Sequence, residues 1–213
     1  MSYKIFTKEK QSDVQFLKEM GMKPHHKVLD VGCAGGRLGY ELINYLNKEN
    51  YYGFDKEQGW IEDFRFAVIT NNLVSKVPII ELGDFSTNFS DVKFDYVYAY
   101  SVFTHVNPLL VTQFFDNFKN NVTTDTKIFV TLTILEEEGW EIRGGKHCAR
   151  ANEYTGVWYN LDFFNDLIGK SGFKVVTDNV KDYRSTSMEV VGPPRSFKLD
   201  GTGTHRMVLL EKK

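Results

Sequence analysis

Apolar and polar positions alternate along this chain in blocks of strand length and stripes of helix length. Val14, Phe16, Leu17 and Met20 share a helical face within residues 8–20, and Gly21 ends the run, which predicts a short amphipathic helix. Lys27–Val31 reads as a first strand, followed by a helix from about Arg37 to Asn47. Tyr51–Phe54 reads as a second strand, Trp60–Asn71 as a helix with Ile61, Phe64, Ala67 and Val68 on one face, and Pro78–Leu82 as a third strand. Phe94–Tyr100 follows as a fourth strand, and Pro108 stands where a helix first turn tolerates proline, opening a helix to about Asn120. Ile128–Leu135 is rich in β-branched residues and predicts a buried fifth strand. The tail changes character: a helix over Leu161–Lys170 stops at Ser171-Gly172, and strands over Phe173–Val176 and Arg206–Glu211 close the chain with no helix between them.

Strand and helix alternating on this scale predict a doubly wound α/β fold, with a mostly parallel seven-stranded sheet, helices on both faces and an antiparallel hairpin at the end. Residues 1–213 are most simply one domain, with residues 1–24 as an N-terminal helical arm. Residues 136–159 show no clear periodicity, and so long a loop in a compact domain is expected to be a substrate-side lid.

Composition narrows the classes. Hydrophobic residues at 42% and charged residues at 25% are ordinary globular values, and argue against extended disorder. A formal charge of −2 without a dense Lys/Arg stripe disfavours nucleic acid as a substrate. Two cysteines, Cys33 and Cys148, suffice for neither a metal cluster nor a disulfide framework, and no His or acid spacing demands a metal. Cys33 reads as a small packing residue inside a turn. Without a membrane-length apolar window or a leader-like N-terminus, the chain reads as a cytoplasmic protein of open oligomeric state.

The most informative stretch is V-L-D-V-G-C-A-G-G-R-L-G at residues 28–39: an apolar run ending in Asp30, a turn holding Gly32, Gly35 and Gly36, then a helix-like segment. Glycines there leave bare backbone against which a ligand can lie. The nicotinamide fingerprint started at Gly32 would need glycines where Ala34 and Arg37 stand, so it fails twice. The pattern acid-x-Gly-x-Gly-x-Gly is met by Asp30, Gly32 and Gly36, with Ala34 in place of the middle glycine. This resembles the first motif of class I S-adenosylmethionine-dependent methyltransferases. A reversed last strand is also what that resemblance implies.

Carried onto this sequence, the resemblance implies roles at successive strand ends. Asp30, with the backbone of Gly32, Ala34 and Gly36, would face the amino acid end of S-adenosylmethionine; a turn cap is its bland alternative. Asp55, ending the second strand, would accept from both ribose hydroxyls. Asp84 would accept from the adenine amine and Phe85 would pack on the ring, with a loop cap as the alternative for Asp84. Trp60 reads as packing before nucleoside cover. Tyr100–Val106, Y-S-V-F-T-H-V, resembles the segment after strand four in small-molecule members of the class, including ones linked to bacterial glycan pathways. Tyr100 and Ser101 would line the cofactor there. His105 is either a general base for a hydroxyl or amine, or a loop-stabilising residue.

Within the insert, Arg143, His147, Arg150 and Tyr159 combine cations and an aromatic ring suited to an anionic or sugar-like substrate, against the alternative of a solvated loop docked by Trp158 and Tyr159. Glu136-Glu137-Glu138 reads as a solvated charge run. The expectation is methyl transfer to O or N of a small polar substrate, nucleotide-linked or phosphorylated, in surface glycan synthesis. Two rivals stand: a methyltransferase-like binding subunit without catalysis, and a nicotinamide-dependent oxidoreductase.

Overall fold

The computed structural model describes residues 13–89, 91–146, 153–182 and 204–213. Elements run in the order α1 (Asp13–Glu19), β1 (Val28–Val31), α2 (Gly39–Tyr45), β2 (Tyr51–Asp55), α3 (Gln58–Thr70), β3 (Ile79–Leu82), β4 (Phe94–Ala99) and α4 (Pro108–Phe118). They continue with β5 (Val122–Ile134), β6 (Trp140–Lys146), β7 (Glu153–Tyr159), α5 (Leu161–Gly169), β8 (Phe173–Asp182) and β9 (Thr204–Lys212). Asn107 caps α4 by accepting from Leu110 N at 3.1 Å, with Pro108 just inside, so this helix starts where its sequence says.

The backbone of the sheet is β3-β2-β1-β4-β5, all parallel, extended by β9 and then β8. β9 runs antiparallel to both β5 and β8, so the closing hairpin inserts its second strand beside β5. The sheet therefore contains the expected seven strands with one reversed at the end, and two further strands besides. Alternate residues of the central strands feed two cores. Leu29, Val31, Val97 and Val130 pack under Phe114, Phe115 and Phe118 of α4 and Phe164 and Ile168 of α5. Val28, Tyr96, Tyr98 and Phe129 pack under Phe16 and Leu17 of α1, Leu42 of α2 and Ile61 and Phe64 of α3. Burial on both faces is why β1 is apolar at every position except Asp30.

The expectation of an irregular loop over 136–159 is corrected. Its described part is a β-hairpin, β6 antiparallel to β7, built onto the sheet: β7 pairs parallel to β5 through Thr133↔Trp158 and Ile134↔Tyr159. These pairings lie beyond the carboxyl end of β4, which matches β5 only as far as Ala99↔Val130. The hairpin is tied down further where Val157 N donates to Thr104 O at 2.8 Å and Leu135 N to Tyr159 O at 2.9 Å. The overlong β5 thus carries the hairpin past the mouth of the sheet, beside the loop that follows β4.

Candidate active site

The turn after β1 is built from residues that accept a left-handed backbone or need to be small. Gly32 (φ +67°) and Gly36 (φ +83°) both lie in the region that glycine adopts without penalty. Their missing side chains make room for the protein itself: a Cβ on Gly32 would sit 2.6 Å from Val102 Cγ2, and one on Gly36 2.1 Å from Phe64 Cδ2. The Val102 side chain and the Phe64 ring close in on these two positions. Ala34 stands between them with φ +45°, a conformation costing an alanine about 1–2 kcal/mol. Its amide donates to Asp55 Oδ2 at 2.9 Å, so the acid ending β2 holds the strained turn in place. Cys33 is buried in the core, and burial pushes its thiol up, as a packing residue requires.

The strand-end acids occupy three environments. Asp30 is 4% exposed and accepts from the Tyr51 hydroxyl at 2.8 Å; burial pushes its carboxyl up to about 7. Asp55 is half-buried and accepts from Glu57 N at 3.0 Å as well as from Ala34 N, an Asx-type turn leading into α3. Asp84 is exposed, and Ser86 donates to its Oδ1 from both the backbone (2.7 Å) and the hydroxyl, which holds the carboxyl below its usual range. An open cleft of about 410 Å³ lies where β2 and β3 end, lined by Lys56, Leu82, Gly83, Asp84, Ser86 and Thr87.

Phe85 does not line this cleft. Its ring stacks on Phe103 (6.0 Å between centroids, 10°) and meets Phe114 edge-on, because the aromatic cluster under α4 offers it more apolar contact than the cleft does. The apolar side chain presented to the cleft is Leu82, 51% exposed. Trp60 is half-buried against the turn, where a Cβ on Gly35 would meet its ring at 3.3 Å.

After β4 the chain turns sharply at Ser101 (φ +57°), whose hydroxyl lies 3.4 Å from Thr104 Oγ1. Tyr100 stacks parallel to Tyr98, and the Arg37 guanidinium lies 4.9 Å from the Tyr100 ring centroid. This brings the glycine turn and the loop after β4 to one mouth. His105 is exposed in that loop, its amide donating to Val102 O at 3.0 Å. Tyr159 is fully buried and its hydroxyl donates to Val106 O, so it braces the loop from the core and does not face the mouth; the expectation of a substrate contact there is corrected. Arg143 lies in β6 opposite Gly156, while His147 and Arg150 fall outside the described residues. Three contributors were missed in the sequence: Tyr51, Arg37 and Lys56. Tyr51 was visible as the first of two phenols opening the second strand, and Lys56 as the cation directly after Asp55.

Among the described residues no group of His, Cys, Asp and Glu could hold a metal ion, and no helix is long and apolar enough to cross a membrane. The residues at the strand ends suit S-adenosylmethionine by their chemistry: carboxylates for hydroxyls and an ammonium, beside a cleft of nucleoside size.

Comparison with known proteins agrees with this geometry. A methyltransferase domain family matches residues 28–125. Sterol 24-C-methyltransferase erg6 of Schizosaccharomyces pombe is 34% identical over 91 residues, 42% of this chain, and the match spans 24% of that protein, so the chain covers about a quarter of this curated relative. The glycopeptide N-methyltransferase MtfA has a similar structure, at TM-score 0.67 and 16% identity over 94% of this chain and 88% of that one; the same enzyme in complex with S-adenosyl-L-methionine gives a TM-score of 0.68 at 15% identity. An S-adenosylmethionine-dependent methyltransferase from Clostridium acetobutylicum gives 0.62 at 12% identity, over 92% of this chain and 89% of that one. Residues 28–125 thus match a methyltransferase domain family, in a chain whose fold resembles that of solved S-adenosylmethionine-dependent methyltransferases.

Proposed function

We propose that this protein transfers a methyl group from S-adenosylmethionine to an oxygen or nitrogen of a small polar acceptor, nucleotide-linked or phosphorylated, in surface glycan synthesis. The observation that carries the cofactor half is the row of acids at the carboxyl ends of β1, β2 and β3, running from the point between β1 and β4 where strand order reverses to an open cleft where β2 and β3 end. When bound, the cofactor supplies an activated methyl on a sulfonium. Asp55 accepts from the ribose hydroxyls with the lone pairs its two amide partners leave over, while Asp30 faces the ammonium. Asp84 keeps Oδ2 for the adenine amine while Ser86 occupies Oδ1. Tyr100 and Ser101 border the methionine arm, and His105 takes the proton of a hydroxyl acceptor. The β6–β7 hairpin, with Arg143 in its first strand, walls the acceptor side of the mouth.

A second reading, a more apolar acceptor, is favoured by Leu109, which is 75% exposed in the first turn of α4, four residues after His105. One experiment separates these. Calorimetry with S-adenosylhomocysteine and with NAD tests the cofactor. A methyl-transfer screen over nucleotide sugars, small phosphates and apolar alcohols, read by S-adenosylhomocysteine release, tests the acceptor. Saturable NAD binding without a response to S-adenosylhomocysteine would overturn the reading, and turnover confined to apolar alcohols would replace the polar acceptor by the second.

A further inference from the structure

The hydroxyl of Tyr51 sits in a place made for it. It donates to Asp30 Oδ2 at 2.8 Å with both residues buried, at 2% and 4% exposure. Two glycines from different elements leave room for it: a Cβ on Gly39 would lie 2.4 Å from the hydroxyl, and one on Gly53 2.7 Å. The ring is held edge-on by Phe64 at 5.8 Å, and Phe64 in turn fills the space over Gly36 and Gly39. A phenol this confined has one orientation, and that orientation points one carboxylate oxygen of Asp30 at Tyr51.

We propose that Tyr51 is a positioning residue of the cofactor site: it orients the Asp30 carboxylate at the end of β1, and makes the hold on the cofactor's ammonium depend on whether that carboxyl carries a proton. This deepens the proposed function and rests on it. The charged and titratable groups around Asp30 come from every element packed there. Burial pushes its carboxyl up to about 7; the Tyr51 hydrogen bond and the Arg37 cation of the turn act downward, and Asp55 at the end of β2 and Asp13 of α1 act upward. The Cys33 thiol is held neutral by its own burial and adds no charge near neutral pH, and Tyr51, pushed well above its ordinary range by burial and by Asp30, stays a donor throughout. The neighbour across β4 is Tyr98, opposite Asp30 in register. An ionised Asp30 attracts an ammonium and a protonated one does not. The affinity of the site should therefore rise with pH across neutrality, and the Tyr51 donor should set where that rise falls.

The test is calorimetric titration of S-adenosylhomocysteine between pH 5.5 and 8.5, on the full chain and on Tyr51→Phe and Asp30→Asn, with a melt of each to establish folding. Expected for the native protein is an affinity rising about tenfold through an inflection near neutrality. In Tyr51→Phe the inflection should move up by about one pH unit, with affinity at pH 8.5 returning to within about threefold of native. Asp30→Asn should give a flat profile. A Tyr51→Phe profile lowered by the same factor at every pH, or a native profile with no inflection, would overturn the proposal. If Tyr51→Phe does not fold, Asp30→Asn decides: a retained inflection overturns the proposal and its loss supports it. A native protein that binds S-adenosylhomocysteine at no pH would overturn the proposed function itself, a result distinct from all of these.

Discussion

Replacing Asp55 by alanine removes two hydrogen bonds before any ligand is considered. Oδ2 holds the amide of Ala34 at 2.9 Å and Oδ1 that of Glu57 at 3.0 Å. Bonds to a charged acceptor contribute about 1.5–3 kcal/mol each, and the half-buried position argues for the low end, so the fold should lose about 3 kcal/mol. For a chain of this length that is a fall of roughly 6–12 °C in melting temperature. Ala34 also loses the partner that holds it at φ +45°, so the turn can relax away from its working shape. With Asp55 as the proposed acceptor for two ribose hydroxyls, its loss adds about 2–4 kcal/mol to the binding deficit, a drop of roughly 30- to 1000-fold in affinity. Asp55→Asn keeps a single acceptor oxygen and turns an NH2 towards one of the two amides, so it should lose less of both. Adding Ala34→Gly to Asp55→Ala should recover stability, because glycine needs no help at that φ, but should not recover affinity. Melting curves and calorimetry with S-adenosylhomocysteine on the three variants separate these effects. An Asp55→Ala protein that melts within about 1 °C of native and binds within about threefold, worth only about 0.7 kcal/mol, would refute both roles.

Three further outcomes are expected. Between about pH 4 and 7 the unfolded chain ionises Asp30 while the folded one, with its carboxyl pushed up to about 7 by burial, keeps the proton, so this group lowers stability as pH rises through that window, by up to roughly 4 kcal/mol. Asp30→Asn should match the native melting temperature near pH 4 and exceed it at pH 8; a gap independent of pH would contradict this. Gly36→Ala places a Cβ 2.1 Å from a ring that is itself buried, at φ +83°, and should destabilise by about 3 kcal/mol or more in a denaturant titration. His105→Ala, at an exposed loop position, should lower turnover of a hydroxyl acceptor by roughly 10²–10⁴-fold with cofactor affinity and melting temperature unchanged; near-native turnover would leave His105 a loop residue.

What the sequence determined by itself is what short-range chemistry dictates. An apolar run ending in Asp30, glycines where the backbone must turn left-handed and Pro108 behind an Asn107 cap each carry their reason within a few residues, so the βα order, the reversed last strand and the acids at the strand ends were legible. Tertiary structure decided which way each side chain faces and what it meets. Phe85 follows Asp84 directly, yet its ring goes to Phe103 and Phe114, partners 18 and 29 positions on. Tyr159 looks like a binding aromatic and instead braces Val106 from within the core. The β6–β7 hairpin escaped notice although Trp140-Glu141-Ile142-Arg143 alternates, because its strands find their place only on the overhang of β5 past β4. Asp30 reads as a strand-end acid, but its neutrality-range proton comes from the faces packed around it, against which the Tyr51 hydrogen bond pulls the other way. Local pattern specifies where the backbone turns; burial, and the electrostatics that burial strengthens, exist only once distant segments are packed against one another.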